Sequence, residues 1–284
     1  MKSIMKICSH TLVKNEERFI WYSVMSVIAH VDKALIWDTG SSDKTVEIIG
    51  EIKKRYPKKV AFREVGEVSP ESFTKVRQEM LDATASDWFL VVDGDEVWRE
   101  DSIKKVVNTI GERGKEIESI VVPNYYLMGD MYHYQEEAAG RYKLAGQKGN
   151  LNLRGVNRKI LGLRSDKPHG TWGWVDKNGM MIQERNPRRI VLIKDAYYLH
   201  ASFLQRSGSK AQDISVPKRA HKLKYELGIS FPNDFFYPEV FFKERPNIVA
   251  SPWERMDNRY FLKALIQTPL RKLKRRLIHG KTGY

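Results

Sequence analysis

Trp88-Phe89-Leu90-Val91-Val92-Asp93-Gly94-Asp95-Glu96 reads as a strand that ends in acid. An apolar run of strand length delivers two carboxylates, one residue apart, to an exposed strand terminus. Period-2 alternation points Asp93 and Asp95 to one side if the strand continues, whereas Gly94 lets the backbone turn there instead. In either geometry the pair suits a hard divalent cation that takes oxygen ligands and leaves room for phosphate oxygens.

Working outward, short apolar strands alternate with helical patterns over the first hundred residues. Residues 4–12 read as a strand and 19–29 as a helix; 34–37 is a second strand, followed by a helix over 45–55 that Pro57 closes. Residues 60–65 form a third strand. Ser69-Pro70 then offers an N-cap with proline at the first helical position, opening a helix to about residue 83. Residues 88–92 are the fourth strand. This rhythm predicts an α/β fold whose mostly parallel sheet carries helices on both faces, and such sheets bind ligands beyond the carboxyl ends of their strands.

Polar clusters stand where that rule wants them. Lys14-Asn15-Glu16-Glu17 follows the first strand, Asp38-Thr39-Gly40-Ser41-Ser42-Asp43 the second, and Asp93-Gly94-Asp95-Glu96 the fourth, so three loops converge on one rim. Asp43 also reads as the N-cap of the helix after it. Beyond Asp101 the alternation fades; 119–128 and 189–199 read as further strands. Between them lies a stretch rich in Tyr, Gly, Lys and Arg that includes His169-Gly170-Thr171-Trp172-Gly173-Trp174. The expected organisation is a nucleotide-binding and catalytic domain over 1–205 and a helical, basic extension over 206–284.

Composition bounds the partners. Charged residues make up 30% and aromatics 11% of 284 residues, which fits an ordered globular chain. The single cysteine, Cys8, sits in the apolar first strand and reads as a small buried hydrophobe. No apolar run approaches the ~18–20 residues that span a bilayer. Lys2 and Lys6 are followed by Ser9 and His10 rather than a signal-peptide core, so a cytoplasmic chain is expected. The net charge of +14 favours an anionic partner: nucleic acid, an anionic membrane surface or a phosphorylated substrate. After Asp257 no acidic residue occurs, while Arg259, Lys263, Arg271, Lys272, Lys274, Arg275, Arg276 and Lys281 follow. Leu262, Leu265, Ile266, Leu270, Leu273 and Leu277 recur there at helical spacing, interrupted by Pro269. Such a basic amphipathic helix either lies peripherally on the inner face of an anionic membrane or packs on the body with a solvated basic side.

The three loops, in the forms Leu12-Val13-Lys14-Asn15-Glu16-Glu17, Trp37-Asp38-Thr39-Gly40-Ser41-Ser42-Asp43-Lys44-Thr45 and Val92-Asp93-Gly94-Asp95-Glu96, resemble the GT-A-fold, family 2 glycosyltransferases. The resemblance implies a GT-A, Rossmann-like sheet with a C-terminal substrate-facing extension. It implies a metal-dependent enzyme moving a sugar from a nucleotide diphosphate to a hydroxyl acceptor with inversion, Mn2+ or Mg2+ neutralising the diphosphate. The acceptor class is a glycan, a lipid-linked or a phosphorylated molecule, in surface glycan, lipopolysaccharide or glycolipid assembly. By the same resemblance Asp95 is the metal ligand, and Asp93 contacts ribose or reaches the metal through water. Leu12, Lys14, Asn15, Glu16, Asp38, Thr39 and Gly94 line the nucleotide, with Thr39 standing where many relatives carry Asp. Arg77, followed by Gln78, stands where relatives place an Arg-Asn pair near the donor.

A third metal ligand is expected from His200 at the end of a late strand, with His169 as rival. The general base is expected at Asp176. There Gly173-Trp174-Val175-Asp176-Lys177 replaces the Gly-x-Val-His-Glu of relatives, with Glu184 and Glu137 as alternates. Trp172 and Trp174 either stack on a sugar ring or fill the core. A sugar nucleotidyltransferase shares the architecture but would carry glycine in the loop after the first strand, which Leu12–Glu16 lacks. A nucleic-acid-binding role fits the charge alone, without a helix-turn-helix, zinc-finger or RNP-type signature.

Overall fold

The computed structural model describes residues 5–169 and 171–277. Lys2, the expected strand start at residue 4, Gly170 of the aromatic stretch and Lys281 of the basic end lie outside them. The first hundred residues alternate as the sequence pattern requires: β1 (Ile7–Val13), α1 (Ile20–Val27), β2 (Lys33–Asp38), α2 (Thr45–Arg55), β3 (Val60–Glu64), α3 (Phe73–Asp82), β4 (Trp88–Val91) and a short β5 (Glu96–Trp98). Ser69 opens α3 indirectly. Its Oγ accepts the Ser72 N–H at 3.2 Å and its carbonyl the Phe73 N–H at 3.0 Å, so Pro70 sits in a turn ahead of the regular helix.

The alternation does not fade at Asp101. Helix α4 (Glu100–Arg113) follows at once, with acids in its first turn and a buried stripe of Ile103, Val106 and Ile110 at helical spacing. Then come β6 (Ser119–Met128), β7 (Asp130–Tyr134), the β8–β9 hairpin (Tyr142–Leu144, Gln147–Gly149) and β10 (Leu151–Asn157). The β11–β12 hairpin (Arg164–Asp166, Gly173–Val175) and α5 (Ile182–Arg185) follow, then β13 (Ile190–Leu192), β14 (Tyr198–His200), α6 (Lys210–Ser215), β15 (Ile229–Ser230) and α7 (Asn258–Leu277).

The single strand expected over 189–199 is two. β13 pairs with β6 at Ser119–Val121 and β14 at Asn124–Tyr126. Between them the partner strand presents Pro123, which has no N–H to donate, and the chain loops out before pairing again.

The main sheet runs β15-β7-β6-β10-β4-β1-β2-β3. β1, β2, β3 and β4 are parallel, and β10 is antiparallel to both β4 and β6. Both faces are covered, and the residues divide by period 2. Ile7, Ala34, Ile36, Trp88 and Leu90 point into one core with α1, α2 and α4, while Cys8, Leu35, Trp37, Phe89 and Val91 point into the other with α3 and β12. The register brings Val13 beside Asp38 and Asp38 beside Glu64, so the loops after β1, β2 and β4 open on one rim. Phe231, Val240, Phe241 and Val249, from the expected extension, belong to the same core as β1 and α1. Among the described residues no helix is long and apolar enough to cross a membrane.

Candidate active site at the sheet rim

The first two loops lock each other. Asn15 sits at φ 53, a left-handed conformation that asparagine tolerates, and is almost fully buried. Its Oδ1 accepts the Ser42 N–H at 2.7 Å, and its own N–H donates to Ser41 Oγ at 2.8 Å. Asp38 Oδ2 accepts the N–H groups of Gly40 and Ser41, each at 2.9 Å, and the Thr39 hydroxyl donates to the Val13 carbonyl at 2.8 Å. Asp43 accepts from Thr45 N at 3.0 Å and from Glu17 N at 3.3 Å, tying the start of α2 to the first loop. Asn15, Asp38 and Thr39 thus shape the rim by holding backbone.

The third loop is pressed onto the first. A Cβ at Gly94 would stand 2.8 Å from Val13 Cγ1 and 2.9 Å from Glu16 Cγ, so only glycine allows this approach. The approach buries Asp95 and Glu96 and leaves Asp93 about one-third exposed at the opening.

Each carboxylate meets a cation. Arg77 Nη2 lies 3.3 Å from Asp93 Oδ1, and Arg154 Nη2 lies 3.2 Å from Asp93 Oδ2 while also pairing with Glu96. Arg206 Nη1 lies 2.5 Å from Asp95 Oδ2 and 3.1 Å from Glu16 Oε1. Arg219 bonds Glu16 Oε1 at 2.5 Å and Asp213 Oδ1 at 3.0 Å, and donates to the carbonyls of Lys14 and Asn15. Lys222, whose pKa burial and Arg206 lower, faces the same group. Asp93, Glu96 and Asp95 are therefore met by Arg77, Arg154 and Arg206, while Arg219 serves both Glu16 and Asp213.

Burial pushes Glu96 up to about 8 and Glu16 up to about 7 despite their guanidinium partners. Burial also opposes ionisation of Asp95, but Arg206 and His200 outweigh it and hold that carboxyl well below its usual range.

His200 Nε2 is 3.4 Å from Asp95 Oδ2, and its buried Nδ1 has no hydrogen-bond partner. A carboxylate beside a neutral imidazole is an acceptable donor pair for a manganese-like cation; the free Nδ1 of that ring lies 3.8 Å from Glu96 Oε1, and Asp93 stands partly open nearby. The donor chemistry fits a divalent cation; the electrostatics require Arg206 to leave Asp95 first. Asp93 turns instead toward Arg77 and Arg154, so Asp95, Asp93 and His200 do not form a ready cage. Among the described residues no group of three metal-ligating side chains does.

Other expected residues lie at the margins of the cluster or in the core. Lys14 pairs with Glu67 at 2.7 Å on the loop surface, and Leu12 packs against the α3-side core. Gln78 accepts the Ser165 N–H at 2.9 Å, joining α3 to β11. Arg77 is held between Phe73 and Trp172, its guanidinium 5.3 and 5.1 Å from their ring centroids. Trp174 is a core residue edge-on to Phe89 at 5.0 Å, and His169 packs on Phe73 at 4.8 Å.

The structure does not bring Asp176 to the rim. Its Oδ1 accepts the N–H groups of Asn178 at 2.9 Å and Met180 at 3.1 Å, and its Oδ2 faces Arg185 at 3.4 Å. Arg185 also pairs with Glu118, just before β6, level with the start of β4 and a strand length below Asp93. Asp176 closes a turn because its spacing to those two amides makes it a turn acceptor. Glu184, exposed on α5, lies beside Arg185, and Glu137 is exposed after β7 near Tyr125 and Tyr197.

Sequence reading passed over Arg154, Glu96, Arg206, Asp213, Arg219 and Lys222. An arginine inside the apolar strand Leu151-Asn152-Leu153-Arg154-Gly155-Val156 was a visible signal, whereas Arg206 and Arg219 carry none locally. Both come from beyond the boundary expected at residue 205, so the extension supplies part of the site.

The chain belongs to glycosyl transferase family 2, whose family model matches residues 10–173. The parallel sheet with its acidic rim is the GT-A arrangement, and the chain carries a glycosyltransferase domain. Comparison with curated proteins returned no match. Among solved structures, TarS residues 1–349 of S. aureus, in complex with UDP-GlcNAc, is 16% identical with TM-score 0.45, covering 69% of this chain and 58% of that one. Glucosyl-3-phosphoglycerate synthase from Mycobacterium tuberculosis, in complex with Mn2+, UDP and glucosyl-3-phosphoglycerate, is 17% identical with TM-score 0.43, covering 69% and 72%. The mannosyltransferase PcManGT from Pyrobaculum calidifontis, in complex with GDP-Man and Mn2+, is 13% identical with TM-score 0.44, covering 70% and 58%. The chain spans 36% of the longer TarS chain.

Proposed function

We propose that this chain transfers a glycosyl group from a nucleoside-diphosphate sugar to a hydroxyl acceptor, with a divalent cation held at Asp95 and His200. The observation that carries the proposal is the state of Asp95: a buried, ionised carboxylate delivered to the rim by Gly94 and facing a histidine and the Arg206 guanidinium. When bound, such a cation acts as a Lewis acid on the diphosphate.

The chain's own groups supply the rest. In this reading Asp93, the most exposed carboxylate of the cluster, contacts the ribose and Arg77, held between two rings, an anionic oxygen; its exposure and the ring contacts support these roles. Arg206, once released from Asp95, is free to meet the leaving diphosphate. Donor and cation enter together without adding net charge, since the doubly negative donor and the doubly positive cation cancel. An amphiphilic acceptor, as in glycolipid or lipopolysaccharide assembly, matches the apolar and basic character of α7.

The test is donor hydrolysis and transfer with Mn2+ or Mg2+, comparing wild type with Asp95→Asn. The variant removes the nearer of the two carboxylates that Arg206 meets and leaves it Glu16 at 3.1 Å, so the double variant Asp95→Asn, Arg206→Met serves beside it. Both are expected to lose metal-stimulated turnover, while the double variant regains stability. Full metal-stimulated activity in either would remove Asp95 from the metal role.

A further inference from the structure

Helix α7 is docked by one side only. Ala264 and Thr268 are buried, and the Thr268 hydroxyl accepts the Leu227 N–H at 2.7 Å. Tyr260 donates to the Lys224 carbonyl at 2.8 Å, Arg271 Nε to the Tyr225 carbonyl at 3.2 Å, and Arg275 pairs with Glu136 at 2.8 Å and with Glu226. These residues recur every three or four positions and form one stripe, which fixes the rotation of the helix.

The opposite side is apolar and open. Leu262, Ile266, Leu270, Leu273 and Leu277 recur at the same spacing, half a turn away, and each is more than half exposed. This inverts the ordinary surface helix, whose apolar stripe faces the core. Soluble chains rarely leave such a contiguous stripe uncovered.

The charges around the stripe select what covers it. Asn258–Leu277 contains no acidic residue. Lys274 and Arg276 are exposed, and two positions apart on a helix places them on opposite flanks of the stripe. Of the basic residues on the body side, Lys272 and Arg275 meet Glu136 and Glu226, whereas Lys274 and Arg276 at the flanks have no acidic partner among the described residues. Two copies meeting through this face would oppose like charges. An anionic surface would not.

We propose that the open face of α7 docks this chain on an anionic lipid bilayer, with Leu262, Ile266, Leu270, Leu273 and Leu277 in the interface and Lys274 and Arg276 among the headgroups. The helix is about 30 Å long and lies along its support rather than projecting from it, the geometry of an interfacial rather than a spanning helix. The contact is independent of the chemistry at the rim. It is mechanically close to it, however, because α7 grips Lys224–Leu227 a few residues after Arg219 and Lys222.

The experiment is flotation of the full chain with vesicles of phosphatidylglycerol and phosphatidylcholine in equal parts, and with phosphatidylcholine alone. The wild type is expected to float with the first and remain behind with the second, and to be released by salt. Lys274→Gln with Arg276→Gln should weaken binding on the order of 30-fold, from the usual worth of a basic residue at an anionic surface. Ile266→Ser with Leu270→Ser and Leu273→Ser should abolish it while the circular dichroism spectrum stays unchanged. Equal flotation with both vesicles, or binding indifferent to either set of substitutions, would overturn the proposal. So would a concentration-dependent dimer that the serine variant dissolves, since a second copy would then own the face.

Discussion

Replacing Gly94 by alanine tests whether the acidic loop must touch the first loop for the site to exist. The added methyl would lie 2.8 Å from Val13 Cγ1, 2.9 Å from Glu16 Cγ and 3.2 Å from Glu16 Cβ. Carbon atoms pack at about 3.5–4.0 Å, so the loops must separate by roughly 0.7 Å or more. Val13 is buried in the core and Glu16 is fixed by Arg206 and Arg219, so neither can yield freely. Overpacking of this kind costs about 1–3 kcal/mol. For a chain of this size that is a fall in Tm of about 2–5 °C. Separation also carries Asp95 away from His200 and Arg206, and a displacement near 1 Å in a catalytic constellation can cost about 100-fold in rate. Thermal denaturation and donor turnover read the two effects separately.

Gly50→Ala and Gly111→Ala, in α2 and α4 with nothing within 4 Å, are the controls. They should stabilise by about 0.5–1 kcal/mol and leave turnover alone. A Gly94→Ala protein as stable and as active as wild type would refute the close-approach argument.

Two further outcomes follow from the geometry. Asp176→Ala removes the acceptor for two backbone N–H groups and the partner of Arg185, so it should destabilise by about 1–3 kcal/mol in urea unfolding. Its turnover, scaled to the folded fraction, should stay at the wild-type value, and a specific loss of kcat would return Asp176 to catalysis. The Cys8 thiol is buried and pushed up to about 12 by that burial. A thiol-reactive disulfide reagent should therefore leave the native chain unlabelled and titrate one thiol after denaturation; rapid native labelling would contradict the packing of β1.

What could be read from the sequence was what is decided locally. The apolar runs of β1, β2 and β4 are continuous because both sheet faces are covered, and the Gly-centred acid pair at the end of β4 is visible as soon as the strand is. α4 was equally legible in its Ile103, Val106, Ile110 spacing, but it lies past the point where motif reading stopped.

The cations of the site were not legible. Arg206 meets Asp95 across 111 positions and Arg219 meets Glu16 across 203, and nothing near either arginine marks it as buried. Asp176 misled in the opposite direction. A partial match to a family pattern placed it at the base position, whereas its spacing to two amides makes it a turn. Rim residues such as Asn15 and Asp38 read as ligand contacts because polar side chains after parallel strands usually are; here Asn15 bonds the loop after β2 and Asp38 the backbone of its own loop.

The central claim is that donor and divalent cation bind together at Asp95. The direct measurement is the thermal unfolding midpoint of the full chain with a panel of nucleoside-diphosphate sugars, each with and without Mn2+. Ligand at 100 times its Kd stabilises the folded state by about 2.7 kcal/mol, a rise of roughly 5 °C here. The account predicts a rise of that size with one donor class in the presence of Mn2+, little with donor or Mn2+ alone, and none in the Asp95→Asn, Arg206→Met protein. A donor-induced rise that is the same without metal, or that survives in the double variant, would contradict it.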